Sequence, residues 1–107
     1  MQSRAHQVYQ KIIDACPNFE MKGKNNLYTS DNGYMFSQVN KTGEIGLRLS
    51  KEDGLAFVEK YNASPFLSYG ATMRGYVAIP EILFDDIALL STYFNKGHNY
   101  VLSLPRK

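Results

Sequence analysis

Two cations and two amides surround a glycine in the run Lys22-Gly23-Lys24-Asn25-Asn26. Such residues can offer ammonium groups, side-chain amides and a turn of backbone N–H donors to an anion. The same run also suits a solvated turn whose lysines keep a sheet edge from pairing with a neighbour, and a short Lys/Gly pattern is weak as a motif. A second set is dispersed along the chain: Arg48 and Arg74, with the aromatics Tyr28, Tyr34, Phe36, Tyr69 and Tyr76. Gathered on one open sheet face, these rings could stack on unpaired bases while the guanidinium groups met phosphates. The plainer assignment packs the rings under helices and gives Arg48 a structural carboxylate partner.

Catalytic constellations are scarce. His6 and His98 lie near opposite ends of the chain without metal-ligand spacing. Cys16 is the only cysteine, which removes an intramolecular disulfide and a cysteine-rich zinc site and suits a small buried hydrophobe in a reducing compartment. Glu52-Asp53 and Asp85-Asp86 are paired carboxylates, yet both stand where helices begin, and the helix dipole accounts for them there. No phosphate loop, nucleophile elbow or dinucleotide fingerprint occurs. No catalytic residue, metal ligand or cofactor is therefore assigned, and an enzymatic reading keeps only the Gly/Lys/Asn anion nest.

A chain of 107 residues is the size of one domain and buries about two-thirds of its unfolded surface. Its 44% hydrophobic and 21% charged residues are ordinary for a globular protein. The net charge of +2 is too small to argue for nucleic acid by itself. The amino terminus lacks a signal-like apolar core, and no window approaches a membrane span. A cytoplasmic protein without membrane association is expected.

Periodicity then supplies the elements. Ala5, Val8, Tyr9, Ile12, Ile13 and Cys16 fall on one helical stripe, with Ser3 as N-cap and Pro17 as terminator. Phe19 to Lys22 alternates briefly. From Leu27 to Leu49 three strands are joined by Asp31-Asn32-Gly33 and Lys41-Thr42-Gly43, residues that tolerate positive φ, giving an antiparallel meander. Strict alternation places Tyr34, Phe36 and Gln38 on one face and Met35, Ser37 and Val39 on the other. Gly46 would leave room for a large cross-strand neighbour or for another backbone. Ser50 caps a second helix with Asp53 as its box partner, and Leu55, Val58 and Asn62 form one line on it beside Gly54, Phe57 and Tyr61. Phe66 to Tyr69 and Thr72 to Ile79 read as two more strands. After Pro80 a short turn and a longer helix carry Ile82, Leu83, Ile87, Leu90 and Phe94, with Gly97 as C-cap and a final turn through Tyr100, Val101 and Leu104. The expected architecture is a single α+β domain over residues 1–107, a five-stranded antiparallel sheet with helices on one face.

The order of short motifs is also familiar: G-K-x-x-x-Y at Gly23 to Tyr28, N-G-x-M-F at Asn32 to Phe36, L-R-L-S at Leu47 to Ser50, Y-G-x-x-M at Tyr69 to Met73, Y-V-x-I-P at Tyr76 to Pro80 and Y-V-x-S-L at Tyr100 to Leu104. Together they resemble the TfoX amino-terminal domain family, in particular its small stand-alone members. That resemblance implies a two-layer fold with a curved sheet, similar to secretion-chaperone folds, and a regulatory or adaptor role through protein contacts, as in TfoX-like regulators of transcription. The glycine-rich stretch of the family is replaced here by Met21 to Asn26, and the carboxy-terminal helical domain of the full-length regulators is absent. Three functions follow as expectations. The first is a non-enzymatic domain binding a protein partner, a homodimer included. The second is a nucleic-acid module using Lys22, Lys24, Arg48, Arg74 and the tyrosines. The third is a small-anion binder or enzyme built on Lys22, Lys24, Asn25 and Asn26.

Overall fold

The first helix, α1 (Arg4–Asp14), buries Ala5, Val8, Tyr9, Ile12 and Ile13, whose spacing of three and four makes one face apolar. The computed structural model describes residues 4–24, 26–68 and 71–106; the expected cap at Ser3 and the ring of Tyr69 lie outside them. The alternating stretch after Pro17 contributes a single bridge, Lys22 to Tyr28. Strands β1 (Tyr28–Asp31), β2 (Tyr34–Val39) and β3 (Ile45–Arg48) form the meander, followed by α2 (Lys51–Tyr61), β4 (Pro65–Ser68), β5 (Ala71–Ala78), a 3₁₀ turn at Glu81–Leu83 and α3 (Ile87–Leu102).

The sheet order is β1-β2-β3-β5-β4, antiparallel at each junction. Both meander turns use the expected residues: Asn32 and Gly33 have φ of 55° and 82°, and Gly43 has 81°. A two-residue loop with both centres left-handed matches the twist of the flanking strands. Ser50 accepts the Asp53 N–H at 3.1 Å, and Asp86 accepts that of Leu89 at 3.1 Å, capping α2 and α3 as their positions suggest.

The helices share one face, as expected. α1 and α3 lie together across the meander, while α2 rests by β5 with Phe57 against Tyr93 of α3 at 4.9 Å. Strict alternation along β2 fails, however. Thr29 faces Ser37 and Ser30 faces Met35, so Phe36 is an extra residue opposite a single step of β1. This bulge turns Phe36 and Ser37 both into the core, leaving Met35 and Gln38 on the far side. Ser37 can sit there because its hydroxyl bonds those of Tyr9, at 2.6 Å, and Thr29, so the buried polar atoms are satisfied.

The far face is not an open platform. A step of two residues along β4, from Pro65 to Leu67, answers five along β5, from Val77 to Thr72. Gly75, at φ +84°, lies in that bulge. The chain there curls back over the sheet: Phe66 covers Gly46, Asn40 Nδ2 donates to the Leu67 carbonyl at 2.8 Å, and Tyr76 joins Phe66, Ala78 and Met73 in a second small core.

Two glycines work differently from a turn. A β-carbon on Gly46 would lie 2.4 Å from the Phe66 ring, confirming the space expected for a large neighbour. Gly97 is not a C-cap. It lies inside α3, where a β-carbon would meet the Arg48 carbonyl oxygen at 2.7 Å, so its absence lets the helix settle onto β3. Among the described residues no helix is long and apolar enough to cross a membrane.

Gly46→Ala is therefore expected to lower unfolding free energy by roughly 1–3 kcal/mol through overpacking. Urea denaturation should show a lower midpoint, and pairing it with Phe66→Leu should recover part of the loss; an unchanged midpoint in the single variant would contradict the packing described.

Candidate functional site

β3 ends on Arg48, and the chain turns through Leu49 and Ser50 directly into α2. The Leu49 N–H bonds the Gly75 carbonyl at 3.3 Å, so the bulge of β5 stands beside the first turn of the helix. Between them lies a cavity of about 650 Å³, walled by Lys51, Leu55 and Val58 of α2 on one side and Arg74 and Gly75 on the other, with Arg48 at its base. Tyr100 of α3 borders it.

Arg48 is half-buried with its guanidinium carbon 5.6 Å from the Tyr34 ring centre and 5.5 Å from that of Tyr100. Two aromatic rings thus lie within cation–π range of this one cation. Its edge carries five N–H donors, and none meets an acceptor among the described residues, whose ion pairs are Arg4 with Glu81 and Asp85, and Asp31 with His98. Arg74 and Lys51 are exposed and likewise form no ion pair within that set. No described aspartate or glutamate lines the cavity. Three cations thus share one cleft without a compensating carboxylate.

Its apolar side comes from α2. Phe57 and Tyr61 turn into the core, their rings 5.0 Å apart, whereas Leu55 and Val58 are 63% and 37% exposed. Of the two lines on this helix, that of Leu55 and Val58 thus faces the cleft.

The sequence-derived candidates divide. Arg48 and Arg74 come together. Lys22, whose Nζ donates to Ser30 Oγ at 2.9 Å, belongs to the β1 edge of the sheet, away from β5, with exposed Lys24 and Asn26 following it. Asn25 lies outside the described residues. Tyr28 is half-buried on β1. Tyr34 is half-buried as well, its ring on Arg48 and its hydroxyl donating to the Pro105 carbonyl at 2.7 Å. Tyr76 is not a surface aromatic: it is 9% exposed, stacks on Phe66 and donates to the Met35 carbonyl at 2.7 Å. Burial pushes its hydroxyl up to about 12, offset in part by the nearby Arg48 charge. The curl of β4 and β5 removed this ring from the surface.

Sequence reasoning missed Lys51, Leu55, Val58 and Tyr100. The available signal was two apolar lines on α2, Leu55/Val58 and Phe57/Tyr61, where a helix on one core needs only one. It also missed the pairing of a buried histidine with a half-exposed aspartate. His98, 5% exposed and flanked by the Phe19 and Phe36 rings, bonds Asp31 through Nε2 at 2.7 Å. Next to it, Asn32 Nδ2 donates to the Val101 and Leu104 carbonyls at 2.9 and 2.8 Å, tying the end of α3 to the β1–β2 turn. That turn holds Tyr100 and Tyr34 within reach of Arg48. Among the described residues no three acidic, histidine or cysteine side chains could hold a metal ion.

Comparison with protein-family models, curated proteins and solved structures finds no match to this chain.

The bond from His98, then the Asn32 backbone N–H, holds Asp31 below the usual carboxylate range. A depressed folded-state value stabilises the fold above the unfolded value of about 3.9 and loses that contribution as pH falls through the folded value. Asp31→Asn should lower the urea midpoint at pH 7, and the gap from wild type should narrow as the pH drops from about 4 toward 2. A gap constant over that range would mean that the carboxylate charge is not what matters.

Proposed function

We propose that this chain is a non-enzymatic binding domain of the regulatory or adaptor kind, working through contacts with another protein. The TfoX-like order of motifs adds a transcription-related setting to that reading. One observation carries it: the cleft between α2 and β5 combines Arg48, Lys51 and Arg74 with the exposed Leu55 and Val58. Apolar side chains next to cations that form no ion pair among the described residues make a surface that a protein partner can desolvate and complement at once.

Nucleic-acid binding is less well supported by the same geometry. Stacking needs open ring faces, but Tyr76 is buried and Tyr34 and Tyr100 each turn a face to Arg48. Lys22 is bridged to Tyr28 at the β1 edge of the sheet, and neither it nor Lys24 lines the cleft.

The full chain, immobilised and exposed to extract of its own cells, should retain a protein in near-stoichiometric amount after nuclease treatment. Light scattering on the purified chain reports whether that protein is a second copy. Retention abolished by nuclease, or a strictly monomeric chain that holds nothing, would overturn the adaptor reading.

A further inference from the structure

We infer that the α2–β5 cleft is a receptor for a short acidic segment of a partner polypeptide, one that carries carboxylates together with at least one large apolar side chain. The inference rests on the adaptor reading and specifies the chemistry of what the adaptor holds.

Arg48 is the anchor. A half-buried guanidinium that already contacts the Tyr34 and Tyr100 rings has lost part of its side-chain freedom before any ligand arrives, so less entropy is spent when the N–H groups along its edge are used. That edge meets no acceptor among the described residues, and its planar fork matches the two oxygens of a carboxylate. Gly75 stands beside this cation: a β-carbon there would be in ordinary contact with Arg48 Nε at 3.8 Å, and it is the φ of +84° that disfavours any other residue. Arg74, next in the bulge, and Lys51, in the first turn of α2, are exposed cations on the two walls and can meet further carboxylates.

The apolar requirement comes from Leu55 and Val58, one helical turn apart on the same wall. A bare anion would leave them wet, whereas a leucine- or phenylalanine-sized side chain between the carboxylates would cover them. This separates an acidic amphipathic segment from inorganic phosphate and from the backbone of a nucleic acid, which offer charge without the apolar element. Electrostatic complementarity decides against a basic segment, since it would bring like charges toward three cations with no carboxylate between them.

The experiment is selection of a random twelve-residue peptide library displayed on phage against the full-length chain, followed by fluorescence anisotropy of the enriched peptides. The expected winners combine two or more Asp or Glu residues with a large apolar residue. Their affinity should fall at least tenfold with Arg74→Glu, which is exposed and leaves the core untouched, and with Leu55→Ser, and it should weaken as salt is raised. Arg48→Gln should weaken binding similarly, with thermal unfolding recorded to exclude a folding defect. Basic or neutral winners, no enrichment, or binding unaffected by Arg74→Glu would overturn the assignment. So would a single-stranded oligonucleotide that bound more tightly through the same residues. If the cellular protein retained by wild type is also retained by Arg74→Glu, the adaptor reading stands and this cleft is not its site.

Discussion

The closeness of α3 to β3 is the constraint on which the cleft depends. The distance is set by a missing β-carbon: at Gly97 the helix backbone comes so near that any side chain would press on the Arg48 carbonyl oxygen and on Leu47. One turn further along the same helix, Tyr100 reaches the guanidinium of the residue whose carbonyl Gly97 touches. A helix held farther out would leave Arg48 with one ring instead of two. On the opposite face of β3, Gly46 plays the same part for Phe66, whose ring fills the space a β-carbon would occupy. A single short strand is thus gripped from both sides at places where it or its neighbour has no side chain, a close-packed arrangement that is costly to loosen.

The end of α3 is held by a second set of contacts that reinforces the first. Asn32 bonds the carbonyl of Val101 in its last turn and that of Leu104 just past its end, Asp31 bonds His98 about one turn before Val101, and Tyr34 bonds the Pro105 carbonyl. All three partners come from the β1–β2 turn or the residue just after it. The conformation that makes Asn32-Gly33 a good hairpin turn also points the Asn32 amide at the helix, so a local preference and a tertiary contact select the same geometry.

This explains which features could be read from the residues alone. Turns and caps were legible because their chemistry is local: Asn32-Gly33, Lys41 to Gly43, Ser50 and Asp86 need only their immediate neighbours. Bulges were not. Hydrophobic alternation assumes one residue per step, and nothing in the composition of Tyr34 to Val39 marks Phe36 as the extra one. Gly97 followed by a further apolar turn is equally compatible with a cap and with a close helix–strand contact, and only the register of β3 against α3 distinguishes them. Half of the cleft was visible for the same reason. Arg48 and Arg74 stood out as isolated cations, but their proximity depends on the pairing of Arg48 with Tyr76 and on the bulge that follows. Leu55 and Val58 were legible as one line on α2, but a three-residue spacing says only that two side chains share a line, not what the line faces.

A net charge of only +2 concealed the cationic cleft, because charge on this molecule is sorted rather than absent. Asp31 is engaged by His98, Glu44 bonds Asn40 and Thr42, Asp14 bonds Gln10, and Glu81 and Asp85 converge on Arg4. These carboxylates are committed elsewhere, and Glu52 and Asp53, although they follow Lys51 on α2, are not among the residues that line the cleft with Arg48, Lys51 and Arg74. At physiological ionic strength charges are screened over about 8 Å, and Arg48, Lys51 and Arg74 line one cavity of about 650 Å³. The three charges therefore act together on whatever enters while contributing little to the field at long range. A site built this way discriminates at contact: it rewards a ligand whose carboxylates and apolar groups arrive in register, and offers little to a polyanion that brings charge alone.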